Sequence, residues 1–276
     1  MSLTLDRPLV LLGAGNMGGA LLKGWLAGGL DPKQVIALDP APPEPMRALL
    51  ASHGIACHAT PPVLAAPAAV IVLAVKPQIM DEVLPPVARL AGPGTVVLSV
   101  AAGRTVASLA RHFAPGTAIV RSIPNTPASV GRGVTAVFAN AAVSPAQRAL
   151  CNGLLAAVGL VAWVDEERLI DAATAVSGSG PAYVFLMAEC LAEAGRQAGL
   201  PPEVARQLAR ATVAGAGELL HQSDLDAATL RKNVTSPKGT TAAALEVLMA
   251  ADGLQPLLTR AVAAADQRAR ELALGT

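Results

Sequence analysis

Aromatic side chains are almost missing: two Trp, one Tyr and three Phe among 276 residues, 2% of the chain. A core of this composition must be filled by small aliphatic side chains, which favours close packing of helices. Cysteine is as scarce, and Cys57, Cys151 and Cys190 are odd in number and far apart. With no CxxC and no His at ligand spacing, neither a disulfide framework nor a zinc site is expected, and the thiols read as buried. His53, His58, His112 and His221 are scattered, so no metal site and no Ser/His/Asp or Cys/His nucleophile set is expected either. Long apolar runs are lacking too. A membrane span takes about 20 apolar residues, and the longest stretches, 65–75 and 149–164, are too short or carry Asn152 and glycines. The start, with Asp6 and Arg7 before a short apolar run, lacks the basic flank and apolar region of a signal peptide. Charge is balanced at 21 basic against 20 acidic residues, with no Lys/Arg cluster that would give the footprint of a nucleic-acid binder. Together these absences predict a soluble cytoplasmic protein with no membrane and no nucleic-acid partner.

The length leaves room for two domains. Short aliphatic runs at 9–12, 35–38, 70–75, 95–100 and 118–120 alternate with helix-like segments at 17–26, 45–52, 79–90, 106–112 and 145–158. Runs apolar at every position belong to strands buried on both faces, and their alternation with helices predicts an α/β doubly wound parallel sheet. After Asp165 the strand signals stop, and 182–198, 202–220, 241–251 and 255–274 read as helices. Gly199 stands where a helix C′ glycine belongs, and Pro201-Pro202 open the next helix. The predicted division is a first domain over 1–164 and an all-α second domain over 165–276. Ala211, Gly215 and Gly217 would let helices approach closely, either within one chain or across a dimer.

The strongest motif is Gly13-Ala14-Gly15-Asn16-Met17-Gly18, a GxGxxG directly after the first strand and opening the first helix. In a Rossmann-type fold the first glycine permits the turn, the second lets backbone approach a pyrophosphate, and the third allows helix to pack on strand. Asp39 ends the second strand, where a carboxylate hydrogen-bonds the adenosine ribose and repels a 2′-phosphate. The Pro-rich loop after it could turn that side chain away, with Arg47 available to a phosphate, so NADPH and NADH both stay open. Ala74-Val75-Lys76-Pro77 follows the strand at 70–75, at the edge where the nicotinamide is expected. The next edges carry Ser99 to Gly103, including Ala101, and Pro124-Asn125-Thr126-Pro127, where Asn125 either reaches a ligand or caps its own turn. In the helical part, Ser177-Gly178-Ser179-Gly180-Pro181 and the segment from Asn233 to Thr241 each place hydroxyls and free N–H groups at an expected helix start. Such a start either caps itself or binds an anion such as a substrate carboxylate.

Taken in order, GAGNMG, AVKP, SVAAG, PNTP, SGSGPAYVF and VTSPKGTT resemble the pyrroline-5-carboxylate reductase family over nearly the whole chain. The resemblance implies a helical C-terminal dimerisation domain, assembly as a homodimer or a larger homo-oligomer such as a decamer, and reduction of 1-pyrroline-5-carboxylate to L-proline by NADPH or NADH. It implies that Gly13 to Gly18 and Ala74 to Pro77 hold the cofactor; Asp39, Ala101 and Asn125 are cofactor-binding candidates by their positions, and Asp39 departs from the small polar or basic residues that often serve a 2′-phosphate in the family. Asn233, Val234, Ser236, Gly239, Thr240 and Thr241 would bind the substrate, with Ser177, Gly178 and Ser179 shaping its pocket. Thr241 and Ser236 are the candidate catalytic residues, Thr241 as the contact to the ring nitrogen or the carboxylate. Many members have Gly where this chain has Lys238, which adds positive charge to the loop. A β-hydroxyacid-type dehydrogenase needs a lysine in the helix after its Ser-Gly segment, and 182–198 has none; a dinucleotide-sensing protein without catalysis would not need VTSPKGTT.

Overall fold

The computed structural model describes residues 5–274. The chain divides into two compact units, one running to Gly178 and resuming at Ala265, the other Ser179–Ala264. In the first unit the order is β1 (Leu9–Leu12), α1 (Asn16–Ala27), β2 (Val35–Leu38), α2 (Glu44–Ser52), β3 (Cys57–His58), β4 (Val70–Leu73) and α3 (Met80–Ala88). There follow β5 (Val96–Ser99), α4 (Val106–Ala110), β6 (Ala118–Pro124), β7 (Gly133–Ala139), α5 (Pro145–Ala156), β8 (Gly159–Trp163) and α6 (Leu169–Ala173). The strands form one sheet in the order β3-β2-β1-β4-β5-β6-β7-β8, parallel throughout except where β6 meets β7. The first six spatial positions are the doubly wound order, in which the direction of winding reverses between β1 and β4.

Alternation along each strand separates two buried layers. Leu9 and Leu11 of β1 lie in one cluster with Trp25, Val70, Val72 and Leu154, whereas Val10 and Leu12 lie in the other with Ile71, Leu73, Met80 and Leu109. A strand apolar at every position is what two covered faces require. The scarcity of aromatics is met by close approach: a Cβ on Gly24 of α1 would stand 2.8 Å from the Ala157 carbonyl oxygen, so α1 lies against the end of α5. Trp25 beside it is fully buried, and its indole N–H donates to the Leu154 carbonyl at 2.8 Å.

Three strands escape the sequence pattern. β8 alternates between half-buried and exposed positions, β7 begins at a glycine, and β3 is two residues long. β3 is too short to show a run and β7 carries Thr135 within it, whereas β8 is apolar throughout but follows so closely on α5 that it reads as an extension of that helix. The division after 164 also differs from the compact units, because α6 packs on β6 and β7 within the first unit. Cys151 is buried, which pushes its thiol up to about 12, but Cys57 and Cys190 are exposed, contrary to the expectation of three buried thiols.

α6 is anchored by charge. Arg121 of β6 is 2% exposed, and its guanidinium reaches Asp171 Oδ1 at 2.7 Å and Glu167 Oε1 at 3.1 Å. Glu167 Oε1 also accepts from the Val106 N–H at 2.7 Å, which joins the start of α4 to the same group.

In the second unit, α7 (Gly180–Gln197) pairs with α8 (Pro202–Gln222), followed by α9 (Ala227–Asn233) and α10 (Thr240–Leu248). α11 (Leu254–Leu274) belongs to this unit as far as Ala264. Gly199 has φ 102 and its N–H bonds the Arg196 carbonyl, so it closes α7 in the left-handed conformation expected of it. α7 and α10 contain no buried residue, and Phe185, Leu186, Met187, Val247 and Met249 are exposed. Leu169–Gln197 is also long and apolar enough to cross a membrane by length and composition alone. The sequence hid this because Ser177 to Pro181 looked like a break between two shorter segments.

Removing one partner of a buried ion network leaves the other charges uncompensated and costs about 3–5 kcal/mol. Arg121→Met is therefore expected to lower the unfolding free energy in urea by about 3 kcal/mol, while a loss below about 1 kcal/mol would show that Glu167 and Asp171 find water instead.

Candidate active site

The loop from β1 to α1 is shaped by missing side chains. Gly13 has φ 93, and a Cβ there would stand 2.8 Å from the Ala74 carbonyl oxygen. A Cβ on Gly18 would collide with the Gly13 carbonyl oxygen. Both glycines are thus required by the protein's own packing. Gly15 differs: its φ is −77, and a Cβ there would meet nothing within 4 Å. Open space over Gly15, at the start of α1, is where a pyrophosphate would lie against N–H groups that have no helical carbonyl ahead of them. The residues present therefore fit a dinucleotide.

Asp39 follows β2 and is tied to this loop. The Ala14 N–H donates to its Oδ2 at 2.8 Å, and the Ala41 N–H to its Oδ1 at 2.9 Å. The Pro-rich loop therefore does not turn the side chain away from Gly13 to Gly18. Arg47 is paired with Glu44 of the same helix, Nε to Oε2 at 3.0 Å. Beside the loop a cleft of about 550 Å³ is lined by Ala14 to Met17, Lys23, Pro43, Pro45, Met46, Thr126 and Ser129. The sequence did not single out the Pro43 to Met46 wall; its signal was Gly19, whose missing side chain makes room for the Met46 methyl.

At the edges of β4 and β5, Lys76 is exposed, Pro77 opens a single 3-10 turn, and Ala101 is 7% exposed. Asp81 of α3 and Arg104 fasten these edges together: Arg104 Nη1 bonds Asp81 Oδ2 at 3.0 Å, and His112 Nε2 lies 2.8 Å from Oδ1. The Arg104 guanidinium and then His112 hold the Asp81 carboxyl well below the usual carboxylate range. This brace also was not read from the sequence, because Asp81 and His112 are 31 residues apart and carry no motif.

Asn125 is 8% exposed and both ends of its amide are engaged. Oδ1 accepts from the Val134 N–H at 3.0 Å, and Nδ2 donates to the Ser177 carbonyl at 3.1 Å. A cap on its own turn does not describe it; it ties the turn Thr126–Val130 to the segment after α6.

That segment corrects one expectation. Ser177 to Pro181 is not a helix start, since the chain is already helical from Leu169 and passes through a π-helical turn, Thr174–Gly178, into α7. Glycine and proline there suggested a boundary, but the wider turn carries the helix through, as single π turns do. The Ser177 hydroxyl donates to the Ala173 carbonyl at 2.8 Å, and Ser179 makes no cap bond.

The other predicted start is real. α10 begins at Thr240, its cap residue Gly239 has no side chain to bond the first N–H groups, and Thr241 is its second residue. The Ser236 hydroxyl occupies the space a Cβ on Gly239 would take, and the Gly239 N–H donates to the Ser236 carbonyl at 3.1 Å. Lys238 has φ 58, among the described residues the one positive value outside glycine. Asn233 ends α9, Val234 caps it, and both are exposed. Among the described residues no three His, Cys, Asp or Glu side chains gather where a metal could be held.

Known proteins resemble this chain in sequence and fold. A family model described as pyrroline-5-carboxylate reductase dimerisation matches residues 167–272, and one described as NADP oxidoreductase coenzyme F420-dependent matches residues 8–103. The chain is 41% identical to a pyrroline-5-carboxylate reductase of Pseudomonas aeruginosa over 96% of each chain, and 46% identical to one of Synechocystis sp. over 74% of each. A solved pyrroline-5-carboxylate reductase from Coxiella burnetii has a TM-score of 0.90 at 36% identity, covering 97% of this chain and 99% of that one. The Plasmodium falciparum pyrroline carboxylate reductase, solved with NADP bound, has a TM-score of 0.79 at 28% identity, covering 97% and 98%. With relatives this similar along nearly its whole length, the chain belongs to the pyrroline-5-carboxylate reductase family.

Proposed function

We propose that this chain reduces the C=N bond of 1-pyrroline-5-carboxylate with NADH or NADPH to give L-proline, the last step of proline synthesis. The observation that carries the reading is the uncovered backbone of Gly15 at the start of α1, in a chain whose relatives bear that name. A bound reduced nicotinamide supplies the hydride. Gly13 to Gly18 hold the pyrophosphate, Asp39 the adenosine ribose, and the edge from Ala74 to Pro77 with Ala101 borders the nicotinamide. Asn125 acts indirectly, by fixing the turn that it joins to Ser177.

The substrate brings a carboxylate and an electrophilic protonated imine, so the protein has to orient and neutralise more than to activate. The free N–H groups at the start of α10 and the hydroxyls of Ser236, Thr240 and Thr241 bind the carboxylate, with Lys238 adding charge to the same turn. Asn233, Val234 and Gly239 shape that turn, and Ser177, Gly178 and Ser179 shape the substrate pocket through their backbone. Thr241 carries the hydroxyl assigned to the ring nitrogen. The exposed apolar residues of α7 and α10 fall within the matched dimerisation region, and a second copy of the chain covers them in a homodimer. Assembly beyond the dimer, such as a decamer, and a cytoplasmic location complete the reading.

Purified protein given 1-pyrroline-5-carboxylate and a reduced nicotinamide is expected to oxidise the cofactor and form proline in equal amounts. A folded protein that binds nicotinamide but forms no proline would point to a sensing role. Gly15→Ala and Gly18→Ala separate binding from folding. The first is expected to keep the thermal midpoint and weaken dinucleotide binding by about tenfold or more, whereas the second is expected to lose the folded protein. Thr241→Ala is expected to raise KM for the imine by roughly tenfold, the worth of one hydrogen bond to a charged group; unchanged kcat and KM would remove Thr241 from the site.

A further inference from the structure

Resting on the reading of Gly13 to Gly18 as the dinucleotide loop, we propose that Asp39 makes this chain prefer NADH over NADPH. The two cofactors differ only at the adenosine 2′ position, which carries a hydroxyl in one and a phosphate in the other. Asp39 is held in place by backbone donors on both sides, Ala14 N–H on Oδ2 at 2.8 Å and Ala41 N–H on Oδ1 at 2.9 Å. Each carboxylate oxygen has a second lone pair, so either can still accept a ribose hydroxyl. A 2′-phosphate offers no such proton and brings like charge. The side chain cannot swing away without stripping Ala14, within the loop that cradles the pyrophosphate, of its acceptor.

The segment after Asp39 offers a phosphate nothing in exchange. Pro40, Pro42 and Pro43 have no N–H, and the N–H of Ala41 is already given to Asp39. Residues 40–43 contain no hydroxyl and no cation. The next side chain is Glu44, and it pairs with Arg47. That pair is exposed on both sides and weakly held, so it hinders a phosphate little and the discrimination falls on Asp39. Lys23 approaches from α1, on the wall of the neighbouring cleft.

The test is equilibrium binding of NADH and of NADPH to the full chain, followed by nicotinamide fluorescence. The wild-type protein is expected to bind NADH about tenfold or more tightly than NADPH. Asp39→Asn keeps an amide oxygen within reach of the Ala14 N–H and removes the charge; it is expected to bring the ratio close to one. Ala41→Arg leaves Asp39 in place and adds a cation at an exposed position, and is expected to tighten NADPH by about fivefold with NADH unchanged. NADPH bound as tightly as NADH by the wild type would overturn the proposal. So would a folded Asp39→Asn with the wild-type ratio, or a preference for NADPH that disappears in Lys23→Ala. Binding of neither nucleotide by folded protein would overturn the reading of the loop itself.

Discussion

The first βα turn exists because two side chains are absent. Gly13 takes a backbone conformation closed to other residues and lies against the Ala74 carbonyl, and Gly18 lies against Gly13 in turn. A methyl group at either position meets backbone, which cannot yield as the end of a flexible side chain would. This contact fixes where α1 starts, and with it the seat of Trp25 against α5 and the open space over Gly15. Asp39 completes the turn from the far side by accepting the Ala14 N–H. The same turn is therefore a place of close backbone packing and the place where the backbone of Gly15 is left uncovered.

A hydride donor and an electrophilic imine need little help once both are held. That accounts for what the chain lacks: no histidine stands in a recognised catalytic set, and the most strongly ion-paired groups, around Arg121 and Asp81, fasten elements to each other. Arg121 and Asp171 gather charge inside the first unit at a desolvation cost, and the return is a fixed α6 that leads into the π-helical turn. For the proposed reaction the protein's contribution is position.

The central strands were legible because burial on both faces leaves an uninterrupted aliphatic run, as at 9–12 and 35–38, where structure and expectation coincide. β7 and β8 were not: Thr135 interrupts the apolar run of β7, and the apolar run of β8 begins so soon after α5 that sequence alone merges it with the helix. The glycine loop was legible since Gly13 and Gly18 answer local steric demands and Gly15 leaves space over the start of α1. The route from α6 into α7 was not: Gly and Pro end most helices, and only hydrogen bonding across a wider turn lets the chain continue. Asn125 shows the limit most plainly. Its place in a loop beside the sheet edge suggested ligand contact or a cap on its own turn, and nothing local announced that its amide bonds Val134 and Ser177, nine and 52 residues away. Side chains committed to distant backbone leave no trace in local sequence.

Direct transfer of hydride to the imine carbon, with the protein supplying only binding and orientation, is most directly tested by isotope. Reduced nicotinamide carrying deuterium at the transferred position of C4 is mixed with the purified chain and unlabelled 1-pyrroline-5-carboxylate, and the product is read by mass spectrometry and nuclear magnetic resonance. The account predicts proline bearing one deuterium on the ring carbon that was doubly bonded to nitrogen. Unlabelled proline, or oxidised cofactor without proline, would contradict it.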